Sequence, residues 1–407
     1  MASGSYDLVI VGGGIQGVGV AQAAAARGHR VLLVEKERIA AATSSRSSKL
    51  IHGGLRYLES GQLSLVRESL RERATLLRIA PSLVRLLPFY VPVYRHSHRG
   101  PLKIRAGLTL YALLGGLAPD ARFRKLAPIE WERLDGLETG GLRAVYRYHD
   151  AQTDDMALTH AVMRSAVALG AEIACPARFA GAEAGDGDLR IRYVAGGESL
   201  ECRARALVNA SGPWVNRVLS AINPAPPPVA IELLQGAHVL MPHTTVQGIY
   251  YIESPRDGRP LFVMPWGEHT LVGTTETPFE GEPEEVRALP GEVEYLLEGY
   301  LRYFPERVGE PLSQFAGLRV LPRGSSRLNG RSREVIIEPH PHSRPWLVTI
   351  AGGKLTGYRV TAEKVMERLR SSLPPARAVA DTRELLLGEG EGEVSQPARR
   401  GGKQGKD

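Results

Sequence analysis

An α/β fold is predicted, in which a dinucleotide-binding strand–turn–helix unit is interleaved with an antiparallel sheet. Three observations predict it. Residues 6–11 (YDLVIV) form a short apolar strand that runs into Gly12-Gly13-Gly14-Ile15-Gln16-Gly17, followed by a helical stretch to Arg27. Residues 347–351 repeat that logic near the other end, running into Gly352-Gly353-Lys354-Leu355-Thr356 and a second helical stretch to about Leu373. Between them, residues 231–241, 248–253, 261–265 and 270–274 alternate like antiparallel strands.

The chain of 407 residues can bury a large core, as one large or two interleaved domains. Cys175 and Cys202 lack CxxC spacing, which points to a reducing compartment without a disulfide framework. Residues 1–6 show no basic signal-peptide start, and no stretch reaches the roughly 18 apolar residues of a spanning helix. The net charge of +7 and pI of about 9.4 suit an anionic substrate, an anionic membrane surface or nucleic acid. Four basic residues (Arg399, Arg400, Lys403, Lys406) fall in 388–407, which reads as disordered. The remaining excess is modest, and no nucleic acid is expected.

Taken in order, the first glycines form GxGxxG between a strand and a helix. Gly12 makes the turn, Gly14 lets the backbone reach a pyrophosphate, and Gly17 lets helix and strand pack. Glu35 closes the second strand, 30–35, about 20 residues on, where a dinucleotide ribose needs an acid. Residues 43–59 (TSSRSSKLIHGGLRYLE) then combine small hydroxyls, Lys49, His52, Gly53-Gly54, Arg56 and Tyr57. Such a stretch suits close approach to phosphate or to a flavin's polar edge; alone, it is also an ordinary surface loop. Residues 63–80 carry a single apolar helical face and no site. Residues 84–119 place His96, His98 and several cations beside the apolar run 106–119. That run reads as a buried helix or as one lying in a membrane interface; no metal site is expected, since no further ligands stand at metal spacing.

Asp154-Asp155 caps a helix over 156–169, and a strand follows at 172–176. Residues 189–194 and 199–202 form a hairpin about Gly196-Gly197. A buried strand, 206–210, then enters Ser211-Gly212-Pro213-Trp214, a ligand position at a strand end or a plain turn. The prolines of 224–228 mark a crossing into the second sheet, in which His238 is either functional or a structural strand histidine. A helix is expected over 283–303 and a strand over 334–338.

The set GGGIQGVG, ATSSRSSKLIHGGLRYLE, NASGPWV, VGTTE, GLRVL and AGGKLTGYR resembles the FAD-dependent glycerol-3-phosphate dehydrogenases, within the amino-acid-oxidase-like flavoproteins. The resemblance covers about residues 6–373. It implies a two-domain flavoprotein with a Rossmann-type FAD-binding domain interleaved with an antiparallel-sheet substrate domain. The FAD-binding domain takes 1–83, 151–223 and 316–375, the substrate domain 84–150 and 224–315, and 376–407 form a mostly disordered tail. The implied reaction oxidises sn-glycerol 3-phosphate to dihydroxyacetone phosphate by hydride transfer from C2 to flavin N5. Electrons would pass to quinone or O₂. His238, Arg319 and Lys354 correspond to the catalytic positions, and Arg56, Tyr57, Arg319 and Arg333 to the substrate positions. FAD falls to Gly12, Gly14, Gly17, Glu35, Thr43, Ser44, Ser45, Lys49, Leu50, Gly212, Gly353, Lys354, Leu355 and Thr356. A cytoplasmic protein, seated peripherally on a membrane and paired as a homodimer, fits the same resemblance. The family's usual C-terminal helical domain has no counterpart in the sequence. Another flavin enzyme acting on a 2-hydroxy acid or amine is the alternative, because a carboxylate also accepts arginine; a non-catalytic flavoprotein binding nucleic acid or membrane is a remoter one.

Overall fold

A computed structural model describes residues 4–185, 187–323 and 335–388. Among these, two sheets form, of nine and ten strands. The first is built on Ser5–Val11, which pairs in parallel with Val31–Val34 on one side and Glu198–Asn209 on the other. Glu172–Ala174 and Leu347–Ala351 extend the parallel order outward. Leu8, Val9 and Ile10 are fully buried, the near-continuous apolar run that a strand covered on both faces requires. One cover is the helix Ile15–Ala26, packed with Asp155–Ala168 and Tyr358–Leu369 in a common core. Alanine, valine and glycine let that first helix be buried almost all round.

The second sheet is centred on Ile231–Met241. Ser313–Pro322 lies antiparallel along its length, and His269–Gly273 on the other side leads to Pro260–Trp266 and Ile249–Glu253. Val84–Tyr94 then joins in parallel, and Leu142–Thr153 pairs antiparallel with it. Pro290–Tyr303 packs in one core of this sheet, whereas Pro101–Leu114 and the first half of Leu63–Ile79 pack in another.

Several expected boundaries move. The hairpin arm at 199–202 and the strand at 206–210 are one strand, Glu198–Asn209. Its first half pairs with Leu189–Ala195 and alternates exposed and buried residues; its second half is buried and parallel. The pattern changes at the middle, but the backbone does not break. Val84–Tyr94 and Leu142–Thr153 were not expected as strands: Pro88 and Pro92 argue against a paired strand, and charges interrupt the partner. The helix expected over 283–303 starts at Pro290, because Pro290 occupies the first turn and Glu292 accepts from the Leu289 N–H. Ser313–Pro322 belongs to the second sheet, although 316–322 was grouped with the FAD-binding segments. The strand expected at 334–338 is Ile336–His340. Residues 376–388 are not a loose tail: Leu387 and Thr382 are buried, and the Val379 and Leu387 N–H groups donate to Ala26 and Ile79. Residues 389–407 lie outside the described residues.

The helix Pro101–Leu114 is half-buried. Ile104, Leu108, Tyr111 and Ala112 face the core, and Leu102 is 82% exposed. No helix among the described residues is long and apolar enough to cross a membrane.

A buried ion pair ties the stretch 43–57 to the first sheet's helices. Lys49 Nζ donates to Asp155 Oδ1 and to the Ser45 carbonyl, and the Ser47 N–H donates to Asp155 Oδ2. Lys49 is 6% exposed and Asp155 fully buried. Losing one member strands the other charge, so Asp155→Ala is expected to lower unfolding free energy by about 3–5 kcal/mol. The apolar pair Lys49→Met with Asp155→Leu is expected to lose less, as read from urea midpoints; equal losses would contradict this.

Candidate functional site

A cavity of about 690 Å³ runs from the carboxyl end of the first sheet to the face of the second. At its first end, Gly12 has φ +114°, and a Cβ there would stand 2.5 Å from the Ala210 carbonyl oxygen. A Cβ at Gly17 would lie 1.9 Å from the Gly12 oxygen. At Gly14 it would meet only Ser44 Oγ, at 3.2 Å, so the backbone stays open to the cavity. Turn, packing and open approach thus fall on the three glycines as their spacing requires. The helix Ile15–Ala26 begins here with no side-chain cap, and the Ile15 N–H donates to Ser44 Oγ at 2.9 Å. Glu35 lines the same end, accepting from the Gly13 N–H at 2.6 Å and the Glu37 N–H at 2.9 Å. A helix start whose N-cap is a glycine, a Cβ-free cradle and a carboxylate beyond it fit the phosphates and ribose of a dinucleotide. Gln16 Oε1, buried beside them, has no protein partner among the described residues.

The stretch 43–57 carries the cavity toward the second sheet. Thr43 Oγ1 donates to the Leu318 carbonyl at 2.8 Å, and Thr43, Ser44 and Leu50 line the wall. Ser45 and Lys49 stand behind it, engaged by Ala42 and Asp155 respectively. The Gly53-Gly54 turn is fixed from below, where the Gly53 N–H donates to Tyr111 Oη, which donates to Asp150, itself paired with Arg73. Beyond the turn, Arg56 and Tyr57 line the cavity. Gly212, with φ +58°, and the loop Gly353 to Thr356 complete the wall. The helix after this loop starts only at Tyr358, so the loop's polar groups, not a helix start, face the space. Lys354 Nζ sits 3.6 Å above the Tyr57 ring and 3.4 Å from Ser69 Oγ. The Thr356 hydroxyl accepts from the His52 N–H at 3.2 Å.

Arg56 and Arg319 converge, Arg56 from the turn that follows the short second-sheet strand Leu50–Ile51 and Arg319 from the second-sheet strand Ser313–Pro322. Both reach Glu276, Arg56 through Nη1 and Nη2 at 3.2 and 3.3 Å and Arg319 through Nη1 at 3.1 Å. Arg319 Nη2 also donates to Thr274 Oγ1 at 3.1 Å. Arg333 lies outside the described residues. His238 is 1% exposed and does not line the cavity. Its Nε2 is 3.0 Å from Ser48 Oγ, and Ser48 does line it. The ring stacks on Phe315 at 5.0 Å, and burial, followed by the charges of Arg319 and Lys49, pushes its pKa down to about 3. Sequence reasoning missed Ser48, Thr274 and Glu276. Ser48 sat within the hydroxyl-rich run, and Thr274 and Glu276 within the VGTTE run, but nothing in either run marks which member meets the arginines or the histidine.

The two sheets are also clasped across the nucleotide end. Glu284 accepts from Lys36 Nζ at 3.0 Å, Trp214 Nε1 at 2.7 Å and Arg217 Nη1 at 3.2 Å. Burial pushes its carboxyl up, but the hydrogen bonds from Lys36, from its own backbone N–H and from Trp214, with the Lys36 charge, outweigh it and hold the pKa at about 2. The clasp therefore keeps its charge at neutral pH.

Residues 7–359 match the DAO family of FAD-dependent oxidoreductases. The chain is 35% identical over 375 residues to the aerobic glycerol-3-phosphate dehydrogenase of Escherichia coli, covering 89% of this chain and 73% of that one. It is also 35% identical over 378 residues to D-erythritol 1-phosphate dehydrogenase of Brucella abortus, covering 90% and 74%. The solved glycerol-3-phosphate dehydrogenase of Bacillus halodurans, complexed with FAD, superposes with a TM-score of 0.70 at 26% identity, covering 95% of this chain and 68% of that one. With the dinucleotide cradle in place at Gly12, Gly14 and Glu35, these likenesses establish that the chain belongs to the FAD-dependent oxidoreductases.

Proposed function

We propose that the chain oxidises the C2 hydroxyl of sn-glycerol 3-phosphate to the ketone of dihydroxyacetone phosphate. The observation that carries this reading is the meeting of Arg56 and Arg319 on one wall of the FAD cavity. Two guanidiniums offer a phosphate several donors in fixed directions, and holding the phosphate fixes which C–H of the substrate faces the cofactor. The relatives' substrates are phosphorylated polyols by name, which favours phosphate over the carboxylate of a 2-hydroxy acid or amino acid.

FAD, which Gly12, Gly14, Glu35 and Ser44 would hold, would supply a two-electron acceptor for the carbon-bound hydrogen. The protein's own task is the hydroxyl proton. Ser48 is the member of the Ser48–His238 pair that reaches the cavity, so the proton passes to Ser48 Oγ as the serine proton moves to His238 Nε2. Burial, with the charges of Arg319 and Lys49, keeps the imidazole uncharged at neutral pH. The same shift has a sign for stability. The unfolded histidine takes up its proton near pH 6.5 and the folded one only near 3, so stability is complete above 6.5 and falls as pH drops toward 3. Lys354 and Tyr57 border the same space and would orient the substrate's hydroxyls.

The reading is tested anaerobically by adding sn-glycerol 3-phosphate, D-erythritol 1-phosphate, lactate and sarcosine separately and following flavin absorbance. Bleaching by glycerol 3-phosphate is expected. Faster bleaching by the four-carbon phosphate would reassign the substrate within the polyol phosphates, and bleaching by lactate or sarcosine alone would overturn the reading. His238→Ala should lower kcat by about 10²–10⁴, with Ser48→Ala also impaired; a wild-type kcat in His238→Ala would remove the proposed acceptor. The pH profile of kcat/KM should show no limb near 6.5 from this ring.

Delivery of electrons to a membrane quinone from a peripheral seat belongs to the same proposal. Leu102, Leu113 and Leu117 are exposed beside Lys103 and Arg105, an apolar and basic surface that suits an anionic membrane interface. Cosedimentation with anionic vesicles, weakened by Leu102→Glu, is expected; a protein that stays in the supernatant would end this part.

A further inference from the structure

We propose that Glu276 is a positioning residue that holds Arg56 and Arg319 together as one anion-binding fork. This deepens the phosphate-binding reading above and rests on it. Glu276 follows the strand His269–Gly273, Arg56 belongs to the turn Leu55–Leu58, and Arg319 lies within Ser313–Pro322. Nothing local in the chain would bring the two arginines together. Their common neighbour is the Glu276 carboxylate, whose Oε1 takes Nη1 of both, at 3.2 and 3.1 Å, while Oε2 takes Nη2 of Arg56 at 3.3 Å.

Exposure separates the roles of the three side chains. All three border the cavity, but the Glu276 side chain is 4% exposed, against 21% for Arg56 and 26% for Arg319. The carboxylate is the most enclosed member of the group, and the guanidiniums are the more open to the ligand space. Two guanidiniums this close repel each other, and the repulsion is strongest where water is excluded. The carboxylate between them removes it and leaves the three-residue group with one net positive charge, two cations less one anion. Thr274 Oγ1 fixes Arg319 from the same turn, and the Glu276 carbonyl accepts from Arg259 Nη1 at 3.4 Å, so the turn is itself anchored. A fork fixed before the ligand arrives loses less freedom on binding.

A rival role predicts the opposite sign. If Glu276 merely filled the anion's seat, the substrate would have to displace it, and neutralising it would tighten binding. If it positions the fork, neutralising it loosens binding.

The experiment uses the FAD-loaded enzyme and its Glu276→Gln and Glu276→Asp variants. KM and kcat for sn-glycerol 3-phosphate are measured, with the Kd of inorganic phosphate read from the change in flavin absorbance. Glu276→Gln should raise KM and the phosphate Kd by about tenfold or more, with a smaller change in kcat; Glu276→Asp, which keeps the charge, should raise them less. Values at or below wild type in Glu276→Gln would overturn the proposal. If that variant does not retain FAD, the same values in Glu276→Asp would overturn it. Wild-type flavin that glycerol 3-phosphate does not bleach would sink the functional reading instead, and the order of the phosphate Kd values would still decide what Glu276 does.

Discussion

The cavity depends on the buried pairing of Lys49 with Asp155. The chain from 43 to 57 passes from the carboxyl end of the first sheet, through the short strand Leu50–Ile51 of the second, to the turn that carries Arg56. At its middle, Lys49 holds both the Asp155 carboxylate at the start of a first-sheet helix and the Ser45 carbonyl. A charge this deeply buried persists only when it is paired and hydrogen-bonded. The ammonium therefore gives the stretch one conformation, with its hydroxyls on the cofactor's side and its arginine on the other. Lys49 also lies near His238 and helps to keep that ring uncharged. One buried cation thus sets both the path of the wall and the protonation state of the histidine behind it.

The second half of the site is electrostatic in a different way. His238 is buried, and Arg319 and Lys49 both resist its becoming charged. In the proposed reading such a ring is a weak base that takes the proton only in passing, as negative charge leaves the substrate oxygen. Ser48 stands between ring and cavity and shields the imidazole from solvent. In the proposed reading the arginines, paired with Glu276, give the substrate's anionic end a direction. In that reading binding falls to the arginines and proton transfer to the Ser48–His238 pair, so a substrate held at its phosphate end presents its hydroxyl end to the pair.

Much of this was legible in the sequence, and the exceptions have physical causes. Gly12, Gly14 and Gly17 with Glu35 could be read because close packing and open backbone each demand glycine at a fixed spacing. The middle strands could be read because one buried face imposes alternation. Val84–Tyr94 could not, since Pro88 and Pro92 argue against the paired position it occupies. Lys49 was read as a cofactor contact because its neighbours in the chain are; its partner Asp155 lies 106 residues away, a distance no local pattern spans. Ser48 and Glu276 escaped for the same reason. A serine among serines and a glutamate after a strand become functional candidates only when the fold brings His238 and two arginines to them.

The central claim is that Arg319 and its partner read the substrate's phosphate, and it is tested most directly by a cycle between protein and substrate. The measurement is kcat/KM of wild type and Arg319→Ala on sn-glycerol 3-phosphate and on glycerol, which lacks the phosphate. The account predicts that the substitution costs about 2–5 kcal/mol of transition-state stabilisation with the phosphorylated substrate and almost nothing with glycerol. An equal loss on both substrates, or none on glycerol 3-phosphate, would contradict it.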